Sequence, residues 1–143
     1  MYTDSCEELL TAWLKLSAVV RNERMVKYLS FREVFILNIL THAEADSFIT
    51  ATDIIEKTGM LKSQVNKVLT DLEETGYITR AKDSVDKRRV RLQITQKGTE
   101  IYQKEHEGIL NILNKVCSKL GEERIDTFVN EVYSIADAIE NLN

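Results

Sequence analysis

"LKSQVNKVLTDLEETGYITRAKDSVDKRRVRLQITQKG", residues 61–98, changes its apolar period halfway along. In the first half Val65, Val68, Leu69 and Leu72 line one side of a helix that Gly76 stops. In the second half Val90, Leu92 and Ile94 alternate with Arg89, Arg91 and Gln93, the rhythm of a half-buried strand with a basic outer face. YITRAK, residues 77–82, supplies the partner arm. The intervening DSVDKR has no Asn-Gly or Gly-Gly pair, so the spacing predicts a longer, mobile loop rather than a two-residue turn. Just upstream, TATDIIEKTG, residues 50–59, offers Thr50 or Thr52 as N-cap and Gly59 as stop for another short helix. Two short helices, the second polar outside, followed by a basic hairpin, spell a winged helix-turn-helix.

The rest of the chain reads as helices around that unit. Ser30 with Glu33 makes a capping box ahead of Phe31, Val34, Phe35, Ile36, Leu37 and Leu40. Residues 43–49, AEADSFI, form a connection that ends in a small extended piece. Ser5 with Glu8 predicts a first helix carrying Cys6, Leu9, Leu10, Trp13, Leu16 and Val20. Thr95 can cap a long helix to about Leu120, with Ile101, Ile109, Ile112, Leu113 and Val116 on its stripe. After Gly121 a last helix carries Ile125, Phe128, Val129, Val132, Ile135, Ala136 and Ile139. The absence of proline suits long helices. The expected fold class is therefore mainly α with a small antiparallel β-hairpin wing: one unit over 1–143, the winged module at 30–98, and flanking helices at 1–29 and 99–143. Those flanking stripes must be buried on each other or on a second copy, which favours an intertwined homodimer.

The net charge is −4, yet residues 57–97 hold ten Lys/Arg against five Asp/Glu, while the remainder holds nine against eighteen. A basic middle between acidic ends marks a local anion-binding face that the whole-chain balance conceals. The N-terminal MYTDSCEELL is acidic and lacks a basic-then-apolar leader, and no apolar run approaches membrane-spanning length. A soluble, cytoplasmic protein with no membrane association is expected. Cys6 and Cys117 lie far apart and form no CxxC pair, so reduced thiols are the default. No glycine-rich phosphate loop, HExxH motif or nucleophile–base set appears, which argues against an enzyme, and no cofactor is implied.

KSQVNKVLTDLEETGYITR followed by DKRRVRLQITQKG resembles the signature of MarR-type transcriptional regulators. Gly76, Arg80, Asp86, Arg88, Val90, Thr95, Lys97 and Gly98 fall in register with it without gaps. Two departures stand out: no proline follows Asp83, and Lys87 replaces an arginine. The SarA-like branch shares the acidic-then-arginine wing, so the branch stays open. The resemblance implies a homodimeric regulator of double-stranded DNA, by family habit a repressor, with an operator of pseudo-palindromic half-sites and release by a small-molecule effector or a stress signal.

The residues support that role on their own chemistry. Lys62, Ser63, Gln64, Asn66, Lys67 and Thr70 fall on the polar side of the second helix. Gln and Asn can bond adenine edges, Lys can reach guanine or phosphate, and Ser or Thr can bond phosphate oxygens. On the wing, Arg88 is the candidate for a narrow minor groove, with Asp86 orienting it. Lys82, Lys87, Arg89 and Arg91 are candidates for the backbone phosphates. A polar helix face is as often merely solvated, and a surface ion pair contributes little; the coincidence of both features tips the reading towards DNA. Weaker signals concern control. Cys6 near a helix start, with Cys117 at the far end, could form a redox switch. His42, His106 and Glu107 are candidate metal ligands but do not make a full set. Trp13, Tyr28 and Tyr102 could line an effector pocket, although core or interface is the commoner use, and none is assigned to one. The rival reading is a winged helix that docks protein, or an architectural or replication-type DNA binder without ligand response.

Overall fold

The computed structural model describes residues 1–22 and 25–142. In chain order they form α1 (Asp4–Asn22), α2 (Phe31–His42), α3 (Ala51–Thr58), α4 (Lys62–Glu74), β1 (Ile78–Lys82), β2 (Val90–Ile94), α5 (Gln96–Leu120) and α6 (Glu122–Glu140). The chain divides into two compact units, residues 1–108 and 109–143. The fold is mainly helical with a two-stranded antiparallel wing, as the periodicity predicts.

Local chemistry explains most of the boundaries. Ser30 and Glu33 form the expected capping box: the Glu33 N–H donates to Ser30 Oγ at 3.2 Å, and the Ser30 N–H to Glu33 Oε1 at 2.9 Å. Of the two threonines offered for α3, Thr50 is the cap, in a reciprocal box with Asp53. Gly59 ends α3 in the left-handed region, at φ 69°, which a side chain at that position would oppose. Helix α1 departs from expectation. It begins at Asp4, and the Cys6 N–H bonds the Thr3 carbonyl at 3.0 Å. Ser5 therefore lies inside the first turn, where it cannot act as an N-cap.

The core of the first unit joins α2, α3, α4 and the hairpin. Ile36, Leu37, Ile54, Val65, Leu69, Leu72 and Ile78 are almost fully buried, with Leu92 and Tyr102 beside them. Each such side chain stabilises the fold by roughly 1.5–3 kcal/mol relative to exposure. In the wing, Ile78 pairs with Ile94 and Arg80 with Leu92. The extended piece expected near residue 49 attaches to the outer edge of β2, where the Leu92 N–H donates to the Ile49 carbonyl at 2.8 Å.

The motif ITQKG welds the wing to the end of α4. Thr95 Oγ1 donates to the Gly76 carbonyl at 2.6 Å and accepts from the Gly98 N–H at 3.0 Å, so it caps α5 while gripping the turn. Lys97 Nζ donates to the Thr75 carbonyl at 2.8 Å. Gly98 is needed for close approach: a Cβ there would stand 2.1 Å from the Tyr77 carbonyl oxygen.

A buried carboxylate fastens α5 to the start of α2. Glu105 is 1% exposed. Its Oε1 accepts the N–H groups of Lys27, Tyr28 and Leu29 at 3.0, 2.6 and 2.7 Å, and its Oε2 accepts Lys27 again at 2.9 Å. Three otherwise orphaned backbone donors are thus satisfied by one charge, which repays part of the cost of burying it.

The remaining helices are different in kind. In the second unit, α6 has no buried residue, and Phe128, Val129, Val132 and Ile139 are exposed. On α1, Leu9, Leu10, Trp13, Leu14 and Leu16 are each about half exposed. None of the described helices is long and apolar enough to cross a membrane.

Candidate nucleic-acid interface

Helix α4 presents its four buried apolar residues inward, and Lys62, Ser63, Asn66, Lys67 and Thr70 on its exposed side. The structure separates these by how free their polar atoms are. Asn66 has no side-chain hydrogen bond among the described residues, although its carbonyl accepts from Thr70 Oγ1 at 2.9 Å. Lys67 makes only a loose exposed pair with Asp71 at 3.5 Å. Gln64 is half-buried, and its Oε1 accepts the Leu61 N–H at 3.1 Å. The side chain read as a base reader thus engages its acceptor at the start of α4, satisfying the N–H of the cap residue as Glu33 and Asp53 do at α2 and α3.

The loop between the strands spans 83–89 and is laced by its own backbone: Asp83 N–H donates to the Arg89 carbonyl at 2.9 Å, and Arg89 N–H to the Asp86 carbonyl at 3.0 Å. At its tip the expected Asp86–Arg88 pair is present. Arg88 Nε and Nη2 donate to Oδ1 and Oδ2 at 3.1 and 3.4 Å, and the Arg88 N–H adds a third bond at 3.1 Å. These bonds, side-chain first and backbone second, hold the Asp86 carboxyl below the usual carboxylate range. The Arg88 side chain remains 92% exposed. The fork therefore fixes the direction of a guanidinium whose remaining edge faces solvent. Lys82, Lys87 and Arg89 are exposed beside it.

Arg91 does not share their outward freedom. It is half-buried and its Nη2 donates to the Ser47 carbonyl at 3.2 Å. The alternation rule gives the side of the sheet but not what covers it, and here the 47–49 segment lies over that position. Arg80, singled out in the sequence only as a register match, makes a 2.9 Å ion pair with Glu73 and holds its carboxyl below the ordinary range. That pair ties β1 to the last turns of α4, a role that sequence spacing did not reveal.

The sensor candidates are dispersed. The His42 ring sits 2.9 Å from the Asn38 carbonyl, and His106 stacks on Tyr102 with ring centroids 5.5 Å apart. Among the described residues no group of three His, Cys, Asp or Glu gathers with them or with Glu107. Tyr102 is core, its hydroxyl accepting from Asn38 Nδ2 at 2.6 Å, whereas Trp13 and Tyr28 are exposed. Cys6 is exposed, and the Thr3 hydroxyl donates to its sulfur at 3.2 Å, which lowers its pKa. Cys117 is half-buried.

Helix-turn, recognition-type helix and basic hairpin together define the class: a winged helix-turn-helix protein. The MarR family model matches residues 29–89. Over that stretch, the winged module, the chain is similar to the MarR family. The transcriptional regulator FarR of Neisseria gonorrhoeae is 28% identical over 92 residues, 62% of this chain and 63% of that protein's length. Two solved structures share the fold. A MarR/EmrR family transcriptional regulator from Acinetobacter sp. ADP1 superposes with a TM-score of 0.77 at 19% identity, covering 99% of this chain and 100% of that one. The PcaV transcriptional regulator from Streptomyces coelicolor, in complex with its natural ligand, gives 0.75 at 21% identity, covering 91% of each chain.

Proposed function

We propose that the protein is a sequence-specific transcriptional regulator and not an enzyme, binding double-stranded DNA as a homodimer in the cytoplasm. It acts as a repressor on a pseudo-palindromic operator and is released by a small-molecule or stress signal. The observation that carries the reading is the Asp86–Arg88 fork, which aims an exposed guanidinium from the tip of a basic loop that follows the exposed polar face of α4. Helix α4 lies in the major groove, with Asn66 the main base reader and Lys62, Ser63, Lys67 and Thr70 beside it on base edges or phosphates. Arg88 enters the minor groove, while Lys82, Lys87 and Arg89 neutralise phosphates. Residues 30–98 are the DNA-binding module, and 1–29 with 99–143 supply the dimer helices. The exposed apolar residues of α1 and α6 support that last assignment, since so much uncovered apolar side chain is rare on a monomer.

Binding to duplexes selected from a random pool, measured by anisotropy across salt, tests it. Affinity should fall with a log–log slope near −0.9 for each phosphate neutralised. Arg88→Ala should cost about 1–3 kcal/mol on every sequence, whereas Asn66→Ala should relax preference at one base pair by a similar amount. Light scattering should report twice the 16.4 kDa of one chain. Capture of a protein partner with no salt-sensitive DNA binding would put the rival, a protein-docking winged helix, in its place.

A further inference from the structure

Three consecutive residues ahead of α3 each hold on to β2. The Ser47 carbonyl accepts Arg91 Nη2 at 3.2 Å, and the Ile49 carbonyl accepts the Leu92 N–H at 2.8 Å. Between them, the half-buried Phe48 presents its ring to two guanidinium groups: Arg89 Cζ lies 4.3 Å from the ring centroid and Arg91 Cζ 5.9 Å. Arg89 is also the root of the loop that carries Arg88, since its N–H and carbonyl bond Asp86 and Asp83.

We infer that Phe48 is a positioning residue for the wing: it clamps Arg89, and through it the 83–89 loop, in the orientation in which the basic side chains meet DNA. The inference rests on the DNA-binding reading for its consequence, though not for the clamp itself. With its Cζ over the ring and no hydrogen bond from its guanidinium among the described residues, Arg89 is ordered by the clamp without consuming the donors that a phosphate needs. An arginine loose in solvent would have to be ordered at the moment of binding, which weakens the complex. Arg91, nearer the strand centre and bonded to Ser47, is the fixed half of the clamp, and Arg89 is the half that faces solvent.

Two measurements separate the clamp from its consequence. In the free protein, ring current should move the Arg89 side-chain protons upfield, and Phe48→Leu should return them to ordinary positions. Ordinary positions in the unsubstituted protein would overturn the clamp with no reference to DNA. On a selected duplex, Phe48→Leu should weaken binding about tenfold, while Phe48→Tyr, which keeps an aromatic face, stays within about twofold. In an Arg89→Ala background, Phe48→Leu should add little further loss. Unchanged affinity of Phe48→Leu, or losses from the two substitutions that simply add, would overturn the positioning role. Absence of salt-sensitive DNA binding by the unsubstituted protein would instead bring down the regulator reading and leave the proton shifts to decide the clamp.

Discussion

The helices of the winged module and the helices near the two termini obey the same apolar periodicity, yet they finish in opposite states. In α4 all four stripe residues, Val65, Val68, Leu69 and Leu72, are buried within their own unit. In α6 the stripe is just as regular and no residue is buried. Helix α1 likewise leaves Leu10, Trp13 and Leu14 more than half exposed. The short helices are held by contacts inside one chain. The longer flanking ones carry apolar surface whose burial demands another surface. Periodicity thus measures what a helix needs to bury and says nothing about who provides the partner.

That contrast can be broken most forcefully in the core. Leu72→Ala, at a fully buried position, should lower unfolding free energy by about 3–4 kcal/mol in urea titration. Phe128→Glu should act in another way. By mass action its effect should grow as the protein is diluted, and light scattering should show the particle mass falling from that of two chains towards that of one. A Phe128→Glu protein that remained associated, with an unfolding midpoint independent of concentration, would show that this face is not the one that joins copies.

Polar fastening inside the first unit should be nearly as sensitive. Glu105→Gln keeps the shape but replaces a charged acceptor and leaves fewer lone pairs for Lys27, Tyr28 and Leu29, at an expected cost of about 2 kcal/mol by calorimetry. Ser30→Ala, which removes one arm of the α2 capping box, should cost about 1 kcal/mol.

The smallest change in folding is expected at the wing tip, where function rather than stability is at stake. The Asp86 carboxyl titrates lower in the folded chain than in the unfolded one. Its contribution is therefore present above the ordinary aspartate range and is lost as pH falls through the depressed folded value. Following the Asp86 carboxyl carbon by NMR should reveal that low midpoint, and Arg88→Ala should raise it. A midpoint indifferent to Arg88 would show that the fork does not persist in solution.

Much of the architecture was legible because it depends on neighbours in sequence. The Ser30–Glu33 box joins residues three apart, Thr50 was one of the two caps offered for α3, and the stops at Gly59 and Gly121 are local backbone choices. The stripes of α4 and β2 were readable for the same reason. The Asp86–Arg88 pair was within reach too, since both lie in one short loop. Elsewhere the readable signal pointed the wrong way or was silent. Ser5 matched a box that α1 does not use, because the helix already begins at Asp4. On Gln64 the signal was silent about a contact at the start of α4, where the Oε1 accepts the Leu61 N–H. Glu105 shares a helical face with Gly98 and Tyr102, and that spacing was the available hint that its charge is buried.

By itself the sequence determined the order of elements, the Ser30–Glu33 cap of α2, the inward and outward sides of α4 and β2, and the concentration of positive charge at residues 57–97, because each is fixed by chemistry within a few residues along the chain. Only the tertiary structure decided that Glu105 binds the backbone of residues 27–29, that Arg80 pairs with Glu73, and that Phe48 covers Arg89 and Arg91. Those contacts join different elements of the fold, and which of many polar or aromatic side chains meet there is set by how the helices and the hairpin pack.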